Sequence, residues 1–322
     1  MTRMLVTGGA GFIGSHLVDA LLEEGHDVTV LDLLTTGNPR NLDSARERIT
    51  FVHGSILDEA LVEDLVGNAD TVFHLAAAVG VRHIVQEPLE AMITNVRGTE
   101  NVLMACYRHG VRVMLASTSE IYGDTPKLPM SEDDDRVLGS TKVHRWSYST
   151  SKALDEHMAF ALHDKGLPVS VVRYCNTYGP RIDHAGYGSV MANFLRQAIA
   201  GEPLTVHGDG KQSRCFTFVA DIVRGTIAAG TLDSALGEVV NLGTTDEITI
   251  VELAHLIRDY VGSGSPIEHQ SYESYYGEGF ADTRRRVPDN SRARDLLQWI
   301  PSVDLSEGIG LTHEWWKATH VT

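Results

Sequence analysis

Tyr148 and Lys152 are the residues in this sequence whose types and spacing point most directly to chemistry. At this spacing two residues lie on one face of an α-helix, about one turn from each other. A lysine ammonium there can stabilise a tyrosinate and make the tyrosine a base. Free tyrosine has a pKa of about 10, so a base near neutral pH needs a pKa lower by roughly 3. The same spacing is typical of an amphipathic surface helix, so the role of the pair depends on its surroundings.

A glycine-rich turn near the start of the chain is the first segment that could position this pair. An apolar run over 4–6, typical of a buried parallel strand, leads into a turn that contains Gly8, Gly11 and Gly14. A helical pattern and a second apolar strand follow, and Asp32 ends that strand. Glycines in such a strand–turn–helix–strand unit let backbone N–H groups approach a pyrophosphate at the helix N-terminus. We therefore predict a dinucleotide site.

Asp32 indicates which dinucleotide binds. Its carboxylate would accept hydrogen bonds from the adenosine ribose hydroxyls, and no Arg or Lys follows it directly, so the pattern favours NAD over NADP. Phe12 and Ile13 lie within the glycine turn, and Ile56 and Asp58 follow the third predicted strand. For Asp58 two roles stay open, because it could accept from the adenine amine or cap the helix that follows.

Apolar runs continue to alternate with helical patterns through the N-terminal half. Strands are predicted over 71–75 and 111–116, with a long helix over 88–109 between them. This alternation predicts an α/β fold, a doubly wound parallel sheet of the Rossmann type. Small or apolar residues at one strand end would let a cofactor lie against the sheet; they are Leu75, Ala76 and Ala77.

Thr118, Ser119 and Glu120 come directly after the fifth predicted strand. Ligands in such sheets bind beyond the carboxyl ends of the strands, so these side chains would face the same crevice as the glycine turn. Thr118 and Ser119 are also ordinary turn formers, and a loop glutamate is ordinarily solvated. Their place at a strand end favours a functional role.

The composition limits the class of protein. The chain has 322 residues, 43% of them hydrophobic and 22% charged, which is typical of a globular protein with one or two domains. Its formal charge of -16 argues against nucleic-acid binding. The three cysteines and fifteen histidines show no metal-ligand spacing, so no metal is expected. We find no signal peptide and no apolar run of about 20 residues, and we expect a cytoplasmic protein without a membrane span.

Five motifs in order resemble the extended short-chain dehydrogenase/reductase family, the NAD-dependent nucleotide-sugar epimerases and dehydratases. They are the glycine turn over 7–14 and the segments 75–77, 117–123, 148–152 and 173–180. The resemblance covers nearly the whole chain. It implies that Tyr148 is the base for a sugar hydroxyl at carbon 4. It also implies that Lys152 lowers the pKa of Tyr148 and holds the nicotinamide ribose, and that Thr118 hydrogen-bonds the sugar hydroxyl.

Within this family the triplet Thr118–Glu120 distinguishes the reactions. The 4,6-dehydratases usually carry Thr-Asp-Glu, and the 4-epimerases usually lack the acid pair. Thr-Ser-Glu resembles the UDP-glucuronic acid decarboxylases, and Ser119 would tolerate a substrate carboxylate that an aspartate would repel. The arginines at 284–286 and the proline that follows extend the resemblance, which implies Arg286 as the catalytic arginine near that carboxylate.

The resemblance also implies residues that bind the UDP-sugar. The segment 201–210 would embrace the uracil, largely through backbone groups, and the planar fork of Arg214 would hold the diphosphate. Tyr174 is a further expected cofactor contact. The expected substrate contacts are Arg82, Asn176, Thr205, Val206, His207, Arg214, Tyr276 and Arg286.

The expected organisation is an NAD-binding domain over 1–175 and about 218–242, with a smaller, discontinuous nucleotide-sugar-binding domain over about 176–217 and 243–322. Family members commonly pair through two helices, here 88–109 and 148–163, so the resemblance implies a homodimer.

The expected reaction is the NAD-dependent decarboxylation of UDP-glucuronic acid, which gives the UDP-4-keto-pentose, UDP-xylose or both. A UDP-glucuronate or UDP-glucose 4-epimerase is the first alternative, because segment 78–82 resembles epimerases and Ser147 replaces the proline usual before the tyrosine. A 4,6-dehydratase comes next. A redox-sensing binding protein without chemistry is a different class, against which intact Tyr148, Lys152 and Glu120 argue.

Overall fold

The computed structural model describes residues 1–80, 86–182, 189–271 and 283–320. Arg82 and Tyr276, two of the expected substrate contacts, lie outside these ranges. The strands are Arg3–Thr7 (β1), Asp27–Asp32 (β2), Ile49–His53 (β3), Thr71–His74 (β4), Arg112–Thr118 (β5), Val169–Tyr174 (β6), Thr177–Tyr178 (β7), Leu204–His207 (β8), Ser213–Cys215 (β9), Thr217–Phe218 (β10), Val239–Leu242 (β11), Glu247–Thr249 (β12), Ile267–Gln270 (β13) and Arg285–Arg286 (β14).

Helices connect these strands. The α-helices are Phe12–Glu23 (α1), Glu59–Gly67 (α2), Pro88–His109 (α3), Ser147–His163 (α4), Val190–Ala200 (α5), Val219–Thr231 (α6), Ile250–Val261 (α7), Ser291–Leu297 (α8) and Leu305–His320 (α9). The predicted long helix is confirmed as α3, which has a proline in its first turn and ends before Gly110, a left-handed cap. In the described part of the chain, no helix is both long and apolar enough to cross a membrane.

One seven-stranded sheet organises the fold, in the order β11-β6-β5-β4-β1-β2-β3 with every pair parallel. The chain builds outward from β1 to β3 and then returns to the other side of β1 at β4. Ligands bind beyond the carboxyl ends of such a sheet, at the point where the strand order reverses. The predicted doubly wound parallel sheet is confirmed.

Both faces of this sheet are buried, which explains why its strands read as continuous apolar runs. Neighbouring residues of one strand point to opposite faces, so Val6 and Leu5 enter different hydrophobic clusters. Phe73 joins the cluster of Val6 and Val72 joins that of Leu5. Helices α1 and α6 pack together on one side, and α2, α3 and α4 pack in series on the other.

The fifth strand is longer than the sequence indicated. The predicted strand ended at Ala116, whereas β5 continues through Ser117 and Thr118. The extension forms because these two residues stay in parallel register with Arg173 and Tyr174 of β6. Thr118 is therefore the last residue of a strand, and its side chain is fixed by the sheet.

Smaller sheets form from the second half of the chain. Strand β7 pairs with β10, β13 pairs with β8, and β12-β9-β14 form a three-stranded sheet. Strand β11 belongs to the large sheet instead. The division into two domains remains a prediction.

Candidate active site

A cavity of about 850 Å³ opens at the carboxyl ends of the central strands. It gathers segments that are distant in sequence. The expected cofactor residues on its walls are Gly8, Gly11, Phe12, Ile13, Gly14, Asp32, Ile56, Leu75, Ala76, Ala77, Tyr148, Lys152 and Tyr174, and Thr118 lies beside them. Asp58 is not a lining residue; it caps α2, with its carboxylate accepting a hydrogen bond from Leu61 N at 3.1 Å.

The glycine turn is shaped by close backbone contacts. Gly8 has a φ of +76°, and a Cβ there would lie 2.8 Å from Ala76 N. A Cβ on Gly14 would lie 2.1 Å from the Gly8 carbonyl oxygen. Gly11 caps α1 without a side-chain hydrogen bond, so the N-terminus of α1 faces the cavity with its first N–H groups uncapped by a side chain. This arrangement suits a pyrophosphate, which binds such N–H groups.

Asp32 is held at the end of β2 by two backbone donors. Its Oδ2 accepts from Ala10 N at 2.9 Å and its Oδ1 accepts from Leu34 N at 2.7 Å. Each carboxylate oxygen has a further acceptor position. The side chain is therefore oriented towards the cavity and can still accept hydrogen bonds from a ribose.

Tyr148 and Lys152 lie one turn apart on α4, and both line the cavity. Burial raises the pKa of Tyr148, and the negative charges of Glu120 and Asp155 raise it further, while the Thr118 side chain lowers it. Lys152 Nζ lies 3.0 Å from Asp155 Oδ2. The net pKa of Tyr148 is above its ordinary value, and its expected lowering by Lys152 remains a prediction about the loaded site.

Glu120 lies between two arginines. Its Oε2 is 2.6 Å from Arg145 Nη1 and its Oε1 is 2.8 Å from Arg286 Nη1. Burial by itself would raise the pKa of Glu120, but Arg286 and Arg145 more than offset this and hold the pKa far below its usual range. Glu120 is therefore a carboxylate at any ordinary pH. The cluster places two arginine charges beside one carboxylate.

Arg286 reaches this position through backbone pairing. In the register of β14 with β9, Arg286 is opposite Arg214. On the other side, Met130 N donates to Val287 O at 2.8 Å and Asp289 N donates to Met130 O at 2.8 Å. Arg214 and Arg286 are each 6% exposed. The arginine expected at the diphosphate and the arginine expected at the carboxylate thus occupy neighbouring strands.

The other expected substrate residues have different surroundings. Ser119 is buried, and burial raises the pKa of the nearby Cys175 thiol while Arg286 and the Ser119 hydroxyl lower it. The backbone carbonyl of Asn176 accepts from Thr217 N at 2.9 Å. Thr205 is hydrogen-bonded to Gln197 through both its hydroxyl and its N–H. The Val206 side chain belongs to the hydrophobic core, so only the backbone of Val206 can contact a ligand, and His207 ends the same strand, β8.

Two charged residues that pair with Glu120 and Lys152 were not predicted from the sequence. Arg145 is three residues before Tyr148, and Asp155 is three residues after Lys152. That spacing corresponds to one helical turn, so Asp155 shares a face of α4 with Lys152. Spacing from the tyrosine–lysine pair is therefore the signal that could have identified them.

Comparison with known proteins gives the family. Residues 4–243 match the NAD dependent epimerase/dehydratase family. The chain belongs to this family. The match confirms the resemblance on which the sequence predictions relied, and NAD is the cofactor of the family.

Several known proteins resemble this chain over nearly its whole length. It is 42% identical to the UDP-N-acetyl-alpha-D-glucosaminuronate decarboxylase of Bacillus cytotoxicus, over 98% of each protein. It is 39% identical to UDP-glucuronic acid decarboxylase 1 of Xenopus tropicalis, over 98% of this chain and 72% of that protein. A UDP-glucose 4-epimerase of Thermotoga maritima, solved with UDP-glucose, has a TM-score of 0.90 and 33% identity, over 98% of this chain and 99% of that one.

The residues of the cavity fit NAD. A side chain on Gly14 would strike the Gly8 carbonyl, the N-terminus of α1 has no side-chain cap, and Asp32 retains acceptor capacity for a ribose. Acidic, histidine and cysteine side chains form no metal-binding group in the described part of the chain.

The close contact at Gly14 predicts the effect of one added methyl group. Gly14→Ala should weaken NAD binding by roughly 10- to 100-fold, because relieving the overlap with the Gly8 carbonyl distorts the turn. Isothermal titration calorimetry with NAD measures this. Gly264→Ala is the matched control, since a Cβ at Gly264 has no atom within 4 Å. Equal affinity in Gly14→Ala and the parent would contradict the assigned pyrophosphate site.

Proposed function

We propose that the chain catalyses the NAD-dependent decarboxylation of a UDP-linked hexuronic acid, with UDP-glucuronic acid as the first candidate. The observation that carries this proposal is the pair of buried arginines, Arg145 and Arg286, that hold Glu120 near Tyr148. Epimerisation of a neutral sugar needs no such positive group. Relatives that are 42% and 39% identical bear the names of decarboxylases of UDP-hexuronates, which supports the proposal.

The first step is oxidation at carbon 4 of the sugar. Bound NAD supplies the acceptor for the hydride that leaves this carbon. Tyr148 takes the proton of the 4-hydroxyl, and Thr118 orients that hydroxyl from the end of β5. Tyr148 needs a lower pKa for this than the raised one in the structure, and a positive charge near its oxygen lowers it. Lys152 lies one turn from Tyr148 on the same face of α4, so its ammonium can supply this positive charge.

The second step is loss of carbon dioxide. The ketone at carbon 4 makes the carboxylate on carbon 5 a β-keto acid. When the bond from carbon 5 to the carboxylate breaks, its electron pair forms an enolate on the carbon 4 oxygen, and Tyr148 donates a hydrogen bond to that oxygen. Carbon 5 then takes up a proton in place of the carboxylate. The product is the UDP-4-keto-pentose, or UDP-xylose once the hydride held by the reduced cofactor has returned to carbon 4.

The charged cluster orients the carboxylate for this step. Arg286 and Arg145 attract it, while neutral Ser119 does not repel it. Glu120 stays ionised between the arginines, so it can relay a proton from water to carbon 5 but does not itself begin as an acid. Arg214, on the strand next to Arg286, would hold the diphosphate of the same substrate.

A UDP-N-acetylglucosaminuronic acid substrate is the second candidate. The relative that bears its name is 42% identical over 98% of each chain. The two candidates differ at carbon 2 and share the carboxylate on carbon 5, so the mechanism is the same for both. The likeness to a UDP-glucose 4-epimerase concerns oxidation at carbon 4, which epimerases and decarboxylases share.

We also infer a homodimer, located in the cytoplasm. Helices α3 and α4 pack against each other and leave apolar side chains uncovered, with Tyr107 at 37% and Leu154 at 45% exposure. Leu154→Arg should shift the protein from dimer to monomer, because it places a charge in an apolar interface. Light scattering after size-exclusion chromatography measures the mass. A parent protein that elutes as a monomer would overturn the dimer.

Release of labelled carbon dioxide tests the reaction itself. Enzyme with NAD is incubated with UDP-glucuronate or UDP-N-acetylglucosaminuronate, each carrying the label in its carboxylate. We expect release from one of them, and mass spectrometry then identifies the product. Tyr148→Phe should abolish release while NAD stays bound, since only the hydroxyl is lost. Neither substrate releasing carbon dioxide, or an epimer of unchanged mass appearing instead, would overturn the proposal.

Arg286 is predicted to act in the decarboxylation step. Arg286→Ala should lower kcat/KM for carbon dioxide release by roughly 100-fold, as loss of one charged donor at a reacting anion does. NAD affinity should not change. Arg284→Ala is the matched control, because Arg284 lies two residues away, 60% exposed and paired with Asp209. Equal losses in both variants would contradict a specific role for Arg286.

A further inference from the structure

Asp155 is a fully buried carboxylate that the mechanism above does not use. Its side chain is 0% exposed, and its Oδ2 lies 3.0 Å from Nζ of Lys152, whose own side chain is 3% exposed. The two residues are three positions apart on α4 and share one helix face. A carboxylate and an ammonium buried together need each other, because either one alone in a low-dielectric interior is strongly disfavoured.

The surroundings of Asp155 leave Lys152 as its principal partner. Neither carboxylate oxygen makes a well-aligned hydrogen bond to a described residue. The pKa of Asp155 is raised, because its burial outweighs the effects of Lys152 and then the Thr99 hydroxyl, which favour the charged form. Thr99 in turn is hydrogen-bonded to His74 Nε2 at 3.0 Å. Burial lowers the pKa of His74 to about 3, so His74 is neutral and brings no positive charge.

Asp155 also acts on Tyr148. Its negative charge is one of the causes that raise the pKa of Tyr148, after burial and Glu120. The charged or titratable groups around the Tyr148–Lys152 pair are His74 from β4, Glu120 with its partners Arg145 and Arg286, and Asp155 and Glu156 from α4. Glu120 is neutralised by its arginines and Glu156 by Arg173, which leaves Asp155 as the acid paired with Lys152.

We propose that Asp155 is a positioning residue that holds the Lys152 ammonium as its counter-ion and thereby sets the pH above which Tyr148 can act as a base. Lys152 divides its charge between the Asp155 carboxylate and a tyrosinate at position 148. With Asp155 present, the tyrosinate must compete with the Asp155 carboxylate for the Lys152 ammonium. The tyrosinate therefore forms only at higher pH. The inference deepens the proposed function and rests on one part of it, the role of Tyr148 as the base.

Asp155→Asn removes the charge while keeping the size of the side chain. Lys152 then has the tyrosinate as its anionic partner, so the pKa of Tyr148 should fall by about 1. Carbon-13 NMR of protein labelled at tyrosine Cζ and saturated with NAD measures this titration, and Tyr148→Phe identifies the resonance. The acidic limb of kcat/KM against pH should move to lower pH by the same amount. Asp155→Glu, which keeps the charge, should restore the profile of the parent.

Glu156→Gln is the matched control for a merely structural effect. Glu156 is a buried acid at the next position of the same helix, and it pairs with Arg173 and Ser117. Its loss should leave the Tyr148 titration where it is in the parent. A Tyr148 titration in Asp155→Asn that is unchanged, or moved to higher pH, would overturn the proposal, as would an equal change in Glu156→Gln.

A replacement variant and the absence of a sugar substrate keep the test decisive. Asp155→Ser, which is smaller and neutral, replaces Asp155→Asn if that variant does not fold, and the same fall in the pKa of Tyr148 is expected. The NMR titration contains no sugar, so it reports on Asp155 even if the chain proves not to be a decarboxylase. Failure of carbon dioxide release and failure of the titration therefore remain separate results.

Discussion

The ion pairs of Glu120 with Arg145 and Arg286 are the constraint on which the site depends. Their three residues come from the end of β5, the approach to α4 and strand β14, which are far apart in sequence. Such buried charges are tolerable only when each has its partner, since removing one leaves the others uncompensated. The electrostatics of the site therefore depend directly on how these three segments pack. A fold that misplaced β14 would leave Glu120 short of positive charge.

Helix α4 illustrates the same constraint on a larger scale. The face that it buries carries Lys152, Asp155 and Glu156, where an ordinary helix of this length would place apolar residues. Each is matched by a neighbour, as in the pairing of Glu156 with Arg173 of β6 at 2.7 Å. The pairing fixes how the helix is rotated about its axis. That rotation directs Tyr148 at the cavity.

Two parts of the site differ in how many reactions of the family would use them. In the proposed mechanism, the glycine turn, Thr118, Tyr148 and Lys152 prepare oxidation at carbon 4, which epimerases, dehydratases and decarboxylases all require. The arginine cluster around Glu120 lies beside them, and in the same proposal it favours an anionic sugar. Its two arginines would attract the negatively charged substrate locally. This matters in a chain whose formal charge is -16, because the rest of the protein repels such a substrate.

Local patterns in the sequence predict the doubly wound parallel sheet, the alternation of its strands with helices along the chain, the glycine turn with Asp32, and the tyrosine–lysine pair. These features are local: apolar period, glycine spacing and helix spacing all act between residues close in the chain. The pairing of Arg145 and Arg286 with Glu120, and that of Glu156 with Arg173 of β6, emerge only in the tertiary structure. Ion pairs among buried charges depend on which faces meet across the packed elements, and no short-range pattern encodes that.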